Sequence, residues 1–240
     1  KGADMNPIIV GHRGLSSEYP ENTLVSIEAA FKLGLKWVEV DVQPTQDGHL
    51  VVCHDHTLER CSNGVGRVDQ HTLASLRCLD FGSWFSSRFA GEPIPTLAEL
   101  LELAKRYEAN INIEIKLDDQ HNIAQVVEQL AFDIKNSDIA LSQLLFSSFS
   151  ASVMRALYRH SDRFRLGVLS EQLSADDLQL LLEVDAFSCH LDQETVTEAQ
   201  IVELRRLGYQ VWCYTVNDQA SFEHCGCVDA IFTDYPARFL

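Results

Sequence analysis

Short apolar runs alternate with amphipathic stretches from one end of this chain to the other, and nothing else constrains its fold as tightly. Repeated βα units around a parallel sheet produce this pattern, because strands buried on both faces read as near-continuous apolar runs. Strand candidates fall at Ile8–Gly11, Trp37–Val42, Ile111–Ile115, Leu144–Ser147, Arg165–Leu169, Ala186–Cys189, Gln210–Tyr214 and Ala230–Phe232. The spacing between them predicts helices over Thr23–Leu33, Leu97–Tyr107, Ile123–Lys135, Ala151–His160, Ala175–Leu182, Glu198–Leu207 and Gln219–His224. Thr96-Leu97-Ala98-Glu99 has the form of a capping box, and Gly34 and Gly208 stand where a left-handed residue ends a helix.

Eight strands close a barrel, and 240 residues suit an α/β fold of the (β/α)8 TIM-barrel type as one domain over residues 1–240. The outer ring is expected to be short by most of an eighth helix, since Pro236 and Leu240 follow the last strand closely. One segment breaks the alternation. Between His54 and Pro95 lies a polar and aromatic insertion of about residues 56–95, after the second strand. Loops that long in compact domains are functional or structured in their own right. Trp84, Phe85 and Phe89 are expected to hold it down on the barrel, and Asn63-Gly64-Val65-Gly66 reads as a turn.

A formal net charge of -16 argues against nucleic acid and anionic membrane surfaces as partners. No window approaches the roughly 18 apolar residues of a membrane span, so no stable membrane insertion is expected. Lys1-Gly2-Ala3-Asp4 reads as a leftover tag ahead of an initiator Met5. Seven cysteines, an odd number set mostly in apolar contexts, fit reduced thiols and a cytoplasmic location better than a disulfide framework. Composition is compatible with a homo-oligomer, but no helix face stands out as its interface.

Polar clusters sit at the carboxyl ends of the apolar runs, where a TIM barrel gathers its active site. Ile8-Ile9-Val10 leads into His12-Arg13, Glu39 and Asp41 alternate with Val38 and Val40, and Leu50-Val51-Val52 leads into His54-Asp55. Glu114 and Lys116 alternate with Ile113 and Ile115. Residues two apart on a strand share a face, so three carboxylates converge. Uncompensated, they would raise one another's pKa; a divalent cation resolves this, and oxygen-only ligands favour Mg²⁺ or Ca²⁺, with Mn²⁺ also suited. Arg13 and Lys116 are then left to face an anion, and His12 and His54 to move protons. Cation, basic groups and imidazoles around one mouth describe phosphoryl transfer.

These residues reach a family. His12-Arg13-Gly14, Glu21-Asn22-Thr23, Glu39-x-Asp41-Val42-Gln43, Asp47-Gly48-x-x-Val51-Val52-x-His54-Asp55 and Glu114-Ile115-Lys116 resemble glycerophosphodiester phosphodiesterases. Ser147-Ser148-Phe149, Tyr214-Thr215-Val216-Asn217 and Thr233-Asp234-Tyr235-Pro236 continue the resemblance in order along nearly the whole chain. It implies metal-dependent hydrolysis of glycerophosphodiesters to sn-glycerol 3-phosphate and an alcohol, within glycerophospholipid degradation and glycerol metabolism. By position, Glu39, Asp41 and Glu114 match the family's metal ligands. His12 matches the general base, His54 the general acid, and Arg13 and Lys116 the phosphate contacts. Tyr214 stands where many relatives carry Trp, and either aromatic packs on a glycerol backbone. The nucleophile is left open between water and a hydroxyl of the substrate's own glycerol, which would give a cyclic phosphate that water then opens.

Blander readings compete with each of these roles. His12 and His54 would be ordinary half-buried histidines, and Glu39 and Asp41 plain ion-pair partners of Arg13 and Lys116. Asn22 divides evenly between capping the first helix and serving the site, and Asp55 between holding a loop or orienting His54 and touching substrate. His49, His56, His71, His121, His160, His190 and His224 show no convergent partners and are expected on the surface or in packing. Two rival functions remain: a lysophospholipase D-like enzyme with apolar patches beside the mouth, and a non-catalytic barrel that binds a phosphorylated metabolite.

Overall fold

The computed structural model describes residues 6–240, so the tag and initiator readings of the first five residues lie outside the described residues. The first strand, β1 (Ile8–His12), leads through α1 (Leu24–Lys32) to β2 (Trp37–Pro44), and β3 (Leu50–Val52) turns back beside it. The insertion holds the one-turn α2 (Leu73–Leu76), and α3 (Leu97–Arg106) then leads to β4 (Asn110–Ile115). From there the alternation is regular: α4 (Ile123–Ser137), β5 (Leu144–Ser148), α5 (Ala151–His160), β6 (Leu166–Ser170) and α6 (Ala175–Glu183). It closes with β7 (Ser188–Asp192), α7 (Glu198–Arg206), β8 (Gln210–Tyr214) and β9 (Ala230–Thr233).

Eight of these strands form the barrel in the order β1-β2-β4-β5-β6-β7-β8-β9 and back to β1, all neighbours parallel. All eight predicted strands are the barrel strands. The short run Leu50–Val52 adds a ninth, antiparallel to β2 and outside the ring. Each crossover helix starts on a polar side chain that accepts a backbone N–H: Thr23, Thr96, Asn122, Ser150, Ser174 and Thr197. Such caps stabilise by about 1 kcal/mol each. The predicted capping box at Thr96 and Glu99 is present, and Ser174/Asp177 and Thr197/Gln200 form two more. Gly34 and Gly208 do end their helices with positive φ, at 105° and 95°.

One predicted helix is absent. Between β8 and β9 the structure has two 3-10 turns, Gln219–Ser221 and Cys225–Cys227, instead of an α-helix over Gln219–His224. Asp218 caps only Ala220, and Phe222 and Cys225 drop into the core, which ends each turn after one cycle. The chain's last turn, Pro236–Phe239, is likewise 3-10.

Strand pleating divides the side chains into two sets. On β2 and β4, Val38, Val40, Val42, Ile111, Ile113 and Ile115 point outward and join the main core with α3 residues such as Leu97, Leu100 and Leu101. The alternate positions, Trp37, Glu39, Asp41, Gln43, Asn112 and Glu114, are left for the interior. The barrel floor is apolar, built from Val10, Trp37, Leu145, Trp212, Ala230 and Phe232. Trp37 and Trp212 meet edge to face at 5.0 Å. The insertion has a small core of its own: Val51, Cys53, Leu58, Val68, Leu76, Phe81 and Ile94. Phe89 ties it to Tyr19 of the β1–α1 loop, with ring centroids 5.3 Å apart. All seven cysteines are free thiols, and no described helix is long and apolar enough to cross a membrane.

His190 lies wholly buried, stacked on Trp212 at 5.2 Å, with Nε2 2.8 Å from Ser188 Oγ. Burial lowers its pKa to about 3, so the ring is neutral. It fits only because Gly167 on the neighbouring strand has no side chain: a Cβ there would stand 2.6 Å from His190 Nε2 and 2.8 Å from Ser188 Oγ. Overpacking of this kind costs about 1–3 kcal/mol. Gly167→Ala is therefore expected to lower the urea midpoint with an unchanged slope, and an unshifted midpoint would show that the ring yields freely.

Candidate active site

Register brings the acidic residues together. His12 pairs with Glu39 across β1 and β2, and Asp41 pairs with Glu114 across β2 and β4. All three carboxylates are buried, and one oxygen from each lies within 4.8 Å of the others. Asn22 turns inward at φ 58°, donates to Asp41 Oδ2 at 3.0 Å and accepts the Asp41 backbone N–H at 3.3 Å. Its side chain serves the site, while Thr23 caps the helix.

The trio is electrostatically incomplete. Burial, with the Asp41 charge added, pushes Glu39 up to about 7. Burial and a hydrogen bond to Asp41 raise Glu114 well above the carboxylate range. Asp41 stays low against its own burial, because of its hydrogen bond with Glu114 and the nearby Arg13 charge. Glu39 Oε1 and Asp41 Oδ1 are buried without a hydrogen-bond partner. Orphaned oxygens in an all-carboxylate set fit a hard divalent cation.

Two imidazoles face this cluster, each held by an acid. His12 Nδ1 lies 2.7 Å from Asp234 Oδ1, and His54 Nδ1 lies 2.7 Å from Asp55 Oδ1. Both acids are held below the ordinary carboxylate range, Asp55 chiefly by its bond from Arg60 and Asp234, against its burial, by its bond from His12. An ionised carboxylate only accepts, so each Nδ1 carries the proton and each Nε2 is left for chemistry. Burial opposes charge on His12, but the bond to Asp234 and the Glu39 charge outweigh it and its pKa rises. Burial lowers the His54 pKa, against the pull of Asp41.

The basic groups are partly engaged already. Arg13 Nη1 donates to Glu21 Oε2 at 2.8 Å, and its Nε lies 3.5 Å from Asp41 Oδ2 without a hydrogen bond. Lys116 Nζ lies 3.8 Å from Glu114 Oε1. Both still line a cavity of about 200 Å³ together with His12, Glu39, His54 and Glu114. Phe149, Leu169, Tyr214 and Phe232 form its apolar wall. Asp41 sits behind this surface. The Tyr214 hydroxyl donates to Ser170 O at 2.9 Å, and its ring meets Phe149 edge-on at 6.1 Å.

Every candidate residue named from the sequence therefore converges here. Sequence reasoning missed Asp234 as the partner of His12, 222 positions away, and missed Arg60 altogether. The order of motifs carried Asp234 without a role; nothing local flags Arg60. Two histidines need correction: His56 and His121 have convergent partners, their rings 5.2 Å apart beside Asp118. The loop after β4 folds back on the insertion, which no sequence spacing encodes. Arg67 bonds Asp118 at 2.9 and 3.2 Å, and His121 Nδ1 accepts the Asp118 backbone N–H at 2.9 Å, while His121 Nε2 is buried without a hydrogen-bond partner.

Known proteins resemble this chain over nearly its whole length. Residues 12–238 match the profile of the Glycerophosphoryl diester phosphodiesterase family. A glycerophosphodiester phosphodiesterase of Caldanaerobacter subterraneus subsp. tengcongensis is 33% identical over 238 residues, 98% of this chain and 97% of that protein. One from Bacillus subtilis is 30% identical over 261 residues, 100% of this chain and 88% of that protein. A solved phosphodiesterase of Oleispira antarctica, in complex with the product sn-glycerol-3-phosphate, has a TM-score of 0.91 at 31% identity, covering 97% and 95% of the two chains. The glycerophosphodiester phosphodiesterase of Agrobacterium tumefaciens gives a TM-score of 0.81 at 27% identity, covering 97% and 98%. The chain belongs to the glycerophosphoryl diester phosphodiesterase family and is a phosphodiesterase built on a TIM barrel.

Proposed function

We propose that this enzyme hydrolyses glycerophosphodiesters to sn-glycerol 3-phosphate and an alcohol with the help of a divalent cation. The carrying observation is one cavity of about 200 Å³ that joins acids, basic groups and two acid-held imidazoles. The relatives' names supply the substrate class, and the Oleispira antarctica enzyme was captured with that product.

Glu39, Asp41 and Glu114 would hold Mg²⁺, Ca²⁺ or Mn²⁺. Bound there, the cation neutralises charge that develops on the phosphoryl oxygens. Arg13 and Lys116 take phosphate oxygens, the first as a fork and the second as a point charge. Nε2 of His12 removes a proton from the nucleophile and Nε2 of His54 delivers one to the leaving alkoxide. Each ring has Nδ1 held by an acid and Nε2 left for chemistry, so the two roles are exchangeable. Tyr214 and Phe149 wall the glycerol and leaving-group side. The nucleophile is water or the substrate's own glycerol hydroxyl.

Seven free thiols support a reducing, cytoplasmic setting, and the net charge of -16 disfavours nucleic acid and anionic membranes as partners. Glycerophospholipid breakdown and glycerol metabolism are the matching context. Family membership sets aside the non-catalytic binding barrel. One observation favours a lysophospholipid-cleaving reading: Phe149 on the cavity wall is 47% exposed. A lipid chain needs a broader apolar strip than one ring, so the short glycerophosphodiester is the preferred substrate.

Release of glycerol 3-phosphate from glycerophosphocholine and glycerophosphoethanolamine tests this reading. Chelator-treated protein should be inactive and regain turnover with Mg²⁺, Ca²⁺ or Mn²⁺; failure with every ion sinks the proposal, and activity on lysophospholipid alone selects the second reading. His12→Ala and His54→Ala should each cost about 100- to 10,000-fold in kcat. An unchanged rate for His54→Ala on a poor leaving group would refute its part in protonating the alkoxide. Asp234→Asn should lower the His12 pKa, followed by NMR titration of the cation-free protein. The sign follows from the raised value: His12 stabilises the fold fully below its unfolded pKa of about 6.5, and that contribution is lost as pH rises through the folded value. The variant should therefore lose stability most on the acid side.

A further inference from the structure

The structure assigns Arg60, from the insertion, as the positioning residue that fixes Arg13 and His54 together. Its guanidinium donates to both oxygens of Glu21, at 2.7 and 3.0 Å, and to both oxygens of Asp55, at 2.8 and 3.0 Å. Each of those acids holds a functional group with its other contact: Glu21 accepts from Arg13 at 2.8 Å, and Asp55 from His54 at 2.7 Å. The chain of contacts reads Arg13, Glu21, Arg60, Asp55, His54, with charge alternating along its first four members. Arg60 touches neither the cavity wall nor the carboxylate cluster, so it acts through others.

Chemistry explains why this residue is an arginine. Two carboxylates side by side repel, and both must stay ionised: Glu21 to restrain Arg13, Asp55 to fix the tautomer of His54. A planar fork with five donors satisfies both at once, which the single ammonium of a lysine does not. Consistent with this, the bond from Arg60 is the leading cause of the depressed Asp55 pKa. Without Arg60, Glu21 and Asp55 separate, Arg13 is free to turn fully onto Asp41, and His54 is free to rotate or reverse its tautomer. Through Arg60 the insertion thus acts on the site from outside the cavity, which no residue between 56 and 95 lines.

The proposal rests on the roles given above to Arg13 and His54. Arg60 is 45% exposed at its side chain and bonds only acids, so its replacement should leave the fold intact. Arg60→Met should lower kcat/KM about 10- to 100-fold, as loss of an orienting partner does, divided between a higher KM through Arg13 and a lower kcat through His54. Arg60→Lys should recover part of it. In a Glu21→Gln/Asp55→Asn background the Arg60→Met effect should shrink to under about twofold, because the route is already cut. Independently of turnover, the exchange-protected His54 Nδ1 proton should be visible by NMR in the parent and broadened in Arg60→Met. If the parent turns over and Arg60→Met matches it with its His54 proton intact, the positioning role is wrong while the function stands. An undiminished Arg60→Met loss in the Glu21→Gln/Asp55→Asn background also overturns it. If Arg60→Met fails to fold, Arg60→Lys decides: parental kcat/KM refutes the need for the fork, and a loss confined to the intact Glu21/Asp55 background upholds it.

Discussion

Burial of three carboxylates at neighbouring positions on two strands governs the rest of this molecule. Parallel pairing of β2 with β4 sets Asp41 directly beside Glu114, and the pleat puts Glu39 on the same inner face. Such a cluster in a low-dielectric interior is costly unless charge and hydrogen bonds compensate it. The compensation visible in the protein comes from Arg13, Lys116 and Asn22, and it stops short: two oxygens stay without partners. That shortfall is what a divalent cation would complete, and it makes the cluster a site as well as a strain on the fold.

Around this cluster the barrel separates duties by depth. The floor is closed by Trp37, Trp212 and Phe232, and His190 is accommodated there by the absence of a side chain at Gly167. Strand rigidity fixes the carboxylates, since every one of them lies inside a ladder of backbone hydrogen bonds. The groups proposed to move protons or grip phosphate sit at strand ends and on loops, and need separate support. His12 receives it from the far end of the chain through Asp234, itself bonded by Ser16 and Asn217. His54 and Arg13 receive it from the insertion. The result is a rigid acidic base under a rim whose side chains are each held by one carboxylate.

This division explains what could be read in advance. Glu39, Asp41, Glu114 and Lys116 interrupt apolar strands with period two, and no exposed strand accounts for that pattern, so their convergence was legible. The eight strands and six of the seven helices were legible for the same reason: periodicity and capping chemistry are local. The helix over Gln219–His224 was not, because its amphipathic spacing belongs to two short turns that bury Phe222 and Cys225. His121 stands three residues from Asp118 in the β4–α4 loop, but His56 joins the pair only when that loop folds against the insertion, so the group was not legible as a cluster.

The sequence by itself determined the barrel, the family and the identity of the chemical groups, since each follows from residue type and short-range spacing. Tertiary structure alone decided which acid holds which base: Asp234 on His12, Asp55 on His54, Glu21 on Arg13, and Arg60 between the last two. The physical reason is reach. A side chain's period along a strand is set by its own backbone, whereas a salt bridge or hydrogen bond is set by whatever the closed barrel brings within about 3 Å.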